Sequence, residues 1–129
     1  MLRKIASIVY LLTAAFIGLG AFGHDSNTGK LAQSLTEVSV LEPTDVKVIL
    51  AVWHFCSGCM LVFGAITLWT WWRWRAGERK HFLPSDAIAV FYAITGVATV
   101  VYAGVNFFWL FCALGVILLA SSLILRRAA

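Results

Sequence analysis

Four stretches of the chain carry no charged side chain in their middles: residues 5–23, about 46–72, 86–104 and 107–125. A run of about 18 apolar residues can cross the ~30 Å hydrocarbon layer of a bilayer as a helix. Backbone in hydrocarbon must hydrogen-bond to itself, and none of the runs shows the two-residue alternation of a membrane strand. The runs therefore predict an all-α polytopic membrane protein, a four-transmembrane-helix bundle forming one domain over residues 1–129, with antiparallel neighbours where loops are short. Composition agrees: 61% of residues are hydrophobic, 12% are charged, and the mean hydropathy is +0.89. A soluble domain of this length would need far more polar surface.

The charges orient the bundle. Arg3 and Lys4 precede the first run, Arg73, Arg75, Arg79 and Lys80 follow the second, and Arg126 and Arg127 close the fourth. This puts eight of the ten Lys and Arg residues on one side, the cytoplasmic side of a bacterial inner membrane by the positive-inside rule. Both termini are then cytoplasmic. The opposite side holds the 24–45 loop, with Asp25, Glu37, Glu42 and Asp45 against Lys30, and Lys47 stands near the mouth of the second helix. The sequence pI of about 9.3 does not point to nucleic acid, because the cations are spread between apolar runs and form no reading surface. Residues 1–23 also have the basic start and apolar core of a signal peptide, with Ala21-Phe22-Gly23 imitating a cleavage site. An uncleaved first helix is the expectation.

Local signals set the boundaries. Pro43-Thr44 reads as a helix start, with Thr44 as N-cap and Asp45 in the first turn. Pro84 and Ser85 mark the next start, with Ser85 as cap. Asn106 falls at a tight outer turn, and "EVSVL" at 37–41 is too short to assign as a strand. Ala14 and Gly18, and Ala89, Ala93, Gly96 and Ala103, form small-residue seams of the kind that membrane helices pack through. Trp69, Trp71, Trp72 and Trp74 suit an aromatic belt at the headgroup level.

Polar residues in the outer half are the candidates for function. His54 lies roughly 12 Å inside the second helix at ~1.5 Å per residue. A buried imidazole needs a partner or a ligand. The topology draws His24, His54 and Asn106 into one leaflet, and His54 is expected to face the interior and approach His24 or Asn106. Three readings stay open: one interhelical hydrogen bond, metal or haem ligation by His24 and His54, or contact with a quinone or a proton path. No cofactor is favoured, and copper, haem and quinone are the candidates. No HExxH occurs, which leaves hydrolytic metal chemistry without support. Cys56 and Cys59 form a C-x-x-C, but on a helix His54 points about 160° from Cys56 and about 140° from Cys59. A compact His-Cys-Cys ligand set is awkward, and apolar surroundings disfavour the thiolate. These cysteines read as small hydrophobes.

"FGHDSNTGK" at 22–30 followed by "ILAVWHF" at 49–55 resembles a group of small bacterial four-span membrane proteins. Their pattern has a histidine ending helix one, a downstream Gly-Glu, and a Trp-His in helix two. His24, Gly29 and Trp53-His54 match it, and Lys30 stands where the pattern has its acidic residue. The likeness spans about residues 16–72 and implies no particular activity. With little polar machinery and no cofactor motif, the chain is expected to be a non-catalytic membrane interaction protein or accessory subunit. Its partners are lipids, a second copy or a larger membrane complex. A redox protein using the histidine site and a small transporter component are the alternatives.

Overall fold

The structure is a computed structural model that describes residues 1–38, 40–78 and 81–127. Among them run the helices α1 (Leu2–Asp25), α2 (Thr28–Thr36), α3 (Pro43–Arg75), α4 (Leu83–Ala103) and α5 (Trp109–Arg127). A single 3-10 turn at Asn106–Phe108 leads into α5. All but α2 are long and apolar enough to cross a membrane, with the 3-10 turn counted into the last span. The architecture is thus an all-α bundle of the kind expected of a multi-span membrane protein. Helix α1 packs on α3 and α5, α4 packs on α5, and α3 meets α4 more lightly.

Small residues let these helices approach. A Cβ on Gly64 of α3 would fall 2.5 Å from the Gly18 Cα of α1. Between α4 and α5, a Cβ on Gly96 would fall 2.4 Å from the Cys112 nitrogen, and one on Gly115 would fall 2.3 Å from the Ala89 carbonyl oxygen. Lipid competes for apolar side chains as well as a neighbouring helix does, so close backbone contact supplies dispersion that lipid cannot match. The expected seams at Ala14, Gly18, Ala89, Ala93 and Gly96 all lie at these approaches. Ala103 does not; it is exposed at the end of α4.

Helix starts depart from expectation by a residue or two. Glu42, in extended conformation, is the N-cap of α3, and Pro43 takes the first helical position, where its fixed φ fits and its missing N–H costs nothing. Thr44 is therefore inside the helix. Likewise Phe82 precedes α4, which places Ser85 within the first turn. Its hydroxyl is buried and bonds the Tyr10 hydroxyl at 2.5 Å, so a tertiary partner takes the group that capping would have used. Gly104 ends α4 in the left-handed region at φ 68°. The nine-residue α2 inside the 24–45 loop is a further correction: "TGKLAQSLT" places Leu31 and Leu35 one turn apart, and α2 rests on α3. Within "EVSVL", Ser39 lies outside the described residues.

A polar layer ties three helices together at the end that carries Arg3 and Arg126. Asp86 of α4 receives a 2.6 Å hydrogen bond from the Ser122 hydroxyl and pairs with Arg126 of α5 at 2.9 Å. The Tyr10–Ser85 bond brings in α1. The hydroxyls of Thr13, Thr67 and Thr70 each donate to the carbonyl four residues earlier, which satisfies them inside the bundle. Of the cations assigned to this side from sequence, Arg79 and Lys80 lie outside the described residues.

Candidate functional site at the α1–α3 contact

The last turn of α1 and the third and fourth turns of α3 meet through His24, Trp53 and Ser57. The His24 ring stacks on the Trp53 indole with centroids 3.7 Å apart and planes at 19°. The indole N–H in turn donates to the His24 carbonyl at 3.1 Å, which also accepts the Asn27 backbone N–H at 3.2 Å where α1 ends. His24 Nδ1 lies 2.9 Å from the Ser57 hydroxyl, which also reaches the Trp53 carbonyl at 3.4 Å. If the hydroxyl proton is assigned to that carbonyl, Nδ1–H is the donor to Ser57, and the neutral ring keeps its lone pair on Nε2. Trp53 and Ser57, four apart, are what α3 turns toward α1.

His54, one residue on, is rotated away from that face. Its side chain is 54% exposed and bonds the Asp25 carboxylate through Nδ1 at 2.6 Å. The expectation of an interior His54 meeting His24 or Asn106 is therefore corrected: its partner is Asp25, because α3 spends its α1-facing positions on Trp53 and Ser57. No described hydrogen bond joins His54 to His24 or Asn106. Asn106 sits in the 3-10 turn and is exposed.

Below His24 a cleft of about 390 Å³ opens between α1, α3, α4 and α5. Phe16, Trp53, Met60, Phe107, Phe111 and Tyr92 supply most of its apolar wall, and Asn27 joins His24 among its lining residues. Tyr92 is 2% exposed, stacks on Phe111 at 5.4 Å, and its hydroxyl has no described hydrogen-bond partner. An unsatisfied buried hydroxyl costs about 1–3 kcal/mol, so a group in this position calls for an acceptor. The site thus couples His24 with Trp53, Ser57 and Tyr92. Sequence reading singled out His24 and the Trp53-His54 pair but missed Ser57 and Tyr92. Ser57 could have been found as the residue one turn below Trp53. Tyr92 could have been found as a polar tip in the middle of a span.

Among the described residues, no three His, Cys, Asp or Glu side chains converge in a way that could hold a metal ion. The expected His24–His54 metal pair thus has no third ligand of these types among the described residues. Cys56 is exposed, and Cys59 and Cys112 are half-buried; all three are free thiols. Comparison with family models, curated proteins and solved structures finds no match for this chain.

Proposed function

We propose that the protein is a non-catalytic polytopic protein of a bacterial inner membrane that holds one lipophilic molecule with a carbonyl-bearing ring head, of the quinone class, in the outer cleft. The observation that carries this reading is the unpartnered Tyr92 hydroxyl in an otherwise aromatic wall. A ring carbonyl would accept from that hydroxyl, while Phe107, Phe111 and Trp53 offer faces to a planar head. The cleft volume of about 390 Å³ lies in the range of small-molecule sites. His24, oriented by Ser57, supplies a second polar contact at the mouth.

Tyr92→Phe tests the reading, since it removes one oxygen and keeps the ring. Titration of a short-tailed quinone into nanodiscs holding the protein, followed by tryptophan quenching, should show about tenfold weaker binding in the variant. Equal affinity in variant and parent would refute the proposal.

A second reading, an accessory subunit that packs against other helices, is favoured by α3. Only 11% of its most apolar 18-residue window is buried within the chain, against 33% for α1. Native mass spectrometry from mild detergent would find only single chains if that reading is wrong.

A further inference from the structure

The strongest unused chemistry lies at the opposite end of the molecule. A cleft of about 520 Å³ runs between the first turns of α1 and the last turn of α3, lined by Arg3, Lys4, Ser7, Ile8, Trp74 and Arg75 among others. We propose that it is a binding site for an anionic phospholipid of the leaflet at this end, with the phosphate among the cations and one acyl chain along Ile8 and the Trp74 ring.

Three observations converge. First, the charges have one sign. No carboxylate lines the cleft. Elsewhere at this end Arg73 pairs with Glu78, and Arg126 with Asp86, so those cations are already compensated. Lys4 and Arg75 carry no ion pair with any described residue. Second, two of the three cations are held in place rather than trailing in solvent. The Arg3 guanidinium lies over the Trp74 ring and that of Arg75 over Trp71, each 5.2 Å from the centroid. Cation–π contact fixes a guanidinium while leaving its in-plane N–H groups able to donate, and those groups match phosphate oxygens. Trp71 is itself fixed by donating to the Ser7 hydroxyl at 3.0 Å. Third, the Trp74 indole N–H at the cleft wall is buried and has no described acceptor. A phosphate or glycerol-ester oxygen would satisfy it.

Chemistry then selects the ligand. The wall is mostly apolar and the rim cationic, a combination that rewards an amphiphile over a free anion. Basic pockets between transmembrane helices are suited to anionic headgroups, where each nearby Lys or Arg adds to the attraction. Ile8 is 58% exposed beside the cleft, a surface that an acyl chain would cover.

The test uses the full chain in mild detergent. Native mass spectrometry would compare phosphatidylglycerol with phosphatidylcholine of the same acyl chains, and glycerol phosphate would serve as the free-anion control. One phosphatidylglycerol should be retained about tenfold more strongly than phosphatidylcholine. The Lys4→Gln/Arg75→Gln variant should lose about tenfold in that affinity. Trp74→Phe, which keeps the ring for Arg3 but removes the N–H, should lose a few-fold. Lys30→Gln/Lys47→Gln, at the other end of the molecule, should bind as the parent does. Circular dichroism identical to the parent shows that a variant has folded, and Trp74→Phe carries the test if the double variant has not. Equal retention of the two lipids, unchanged binding by the folded variants, or equal affinity for glycerol phosphate would each overturn the proposal.

Discussion

Asp25 and His54, on different helices, meet at 2.6 Å with about half of each side chain exposed. The pair closes the outer end of the α1–α3 contact from one flank, while His24 and Ser57 close it from within. The two histidines thus have different neighbours and should respond differently to mutation. An exposed side-chain pair of this kind contributes about 0–1 kcal/mol. Asp25→Asn should therefore leave thermal unfolding in detergent nearly unchanged. A large loss would show that the pair carries more than its exposure implies.

Ser57→Ala removes the partner of a half-buried imidazole that is also stacked on Trp53. The expected loss is about 1–2 kcal/mol of stability, larger than for Asp25→Asn. Unfolding curves for the two variants under one condition would rank them. The opposite order would contradict the placement of His24 inside and His54 outside.

Asp86 is 14% exposed and Arg126 35% exposed, so their pair is shielded far better than the outer one. Asp86→Ala leaves Arg126 without its carboxylate, while the Ser122 hydroxyl keeps the Leu119 carbonyl as acceptor, and should cost about 3 kcal/mol. Replacing both charges, as Asp86→Leu/Arg126→Met, should recover much of that loss, because the deficit comes mainly from the stranded cation. A double variant no better than the single would mean that packing around Asp86, not charge, sets the cost.

Gly115→Val would drive a branched side chain into the Ala89 carbonyl, which α4 cannot yield without breaking its own hydrogen bonding. A loss of at least 1–3 kcal/mol is expected, roughly the cost of overpacking a core. Gly58→Val makes the control, since a Cβ at Gly58 meets no atom within 4 Å. Comparable losses at the two positions would argue against the close α4–α5 seam.

Orientation is tested by single cysteines at Lys30 and Gly77 in a background lacking Cys56, Cys59 and Cys112. A membrane-impermeant maleimide added outside should label position 30 and spare position 77. Labelling of both from one side would defeat the four-span topology, and the reverse pattern would invert it.

The spans were legible because hydrocarbon imposes length and the exclusion of charge, and both can be counted along a sequence. The seams at Gly18 and Gly96 were legible for a related reason: close helix contact requires small side chains at helical spacing. The position of His54 was not. Neighbouring helix residues differ by about 100°, so choosing between Trp53 and His54 for the inward position requires the rotation of α3, which only its partners fix. Ser85 shows the same limit. A serine after a proline looks like a cap until Tyr10, 75 residues away, turns out to hold its hydroxyl. Helix α2 escaped notice because a short helix resting on another owes its stability to that contact more than to its own residues.

The length of α3 has a further consequence. Its 33 residues extend roughly 50 Å at ~1.5 Å per residue, against a hydrocarbon thickness of ~30 Å. Such a helix must lean or stand clear of the bilayer, and α1, fastened to it by Trp53 at one end and Trp71 at the other, must lean with it. A tilt imposed by membrane thickness would thus reach the whole bundle, because α1 also packs on α5 and bonds Ser85 of α4 through Tyr10. In nanodiscs of graded acyl length, quinone affinity should then vary with bilayer thickness, and a flat response would show that the outer cleft keeps its shape as the helices tilt.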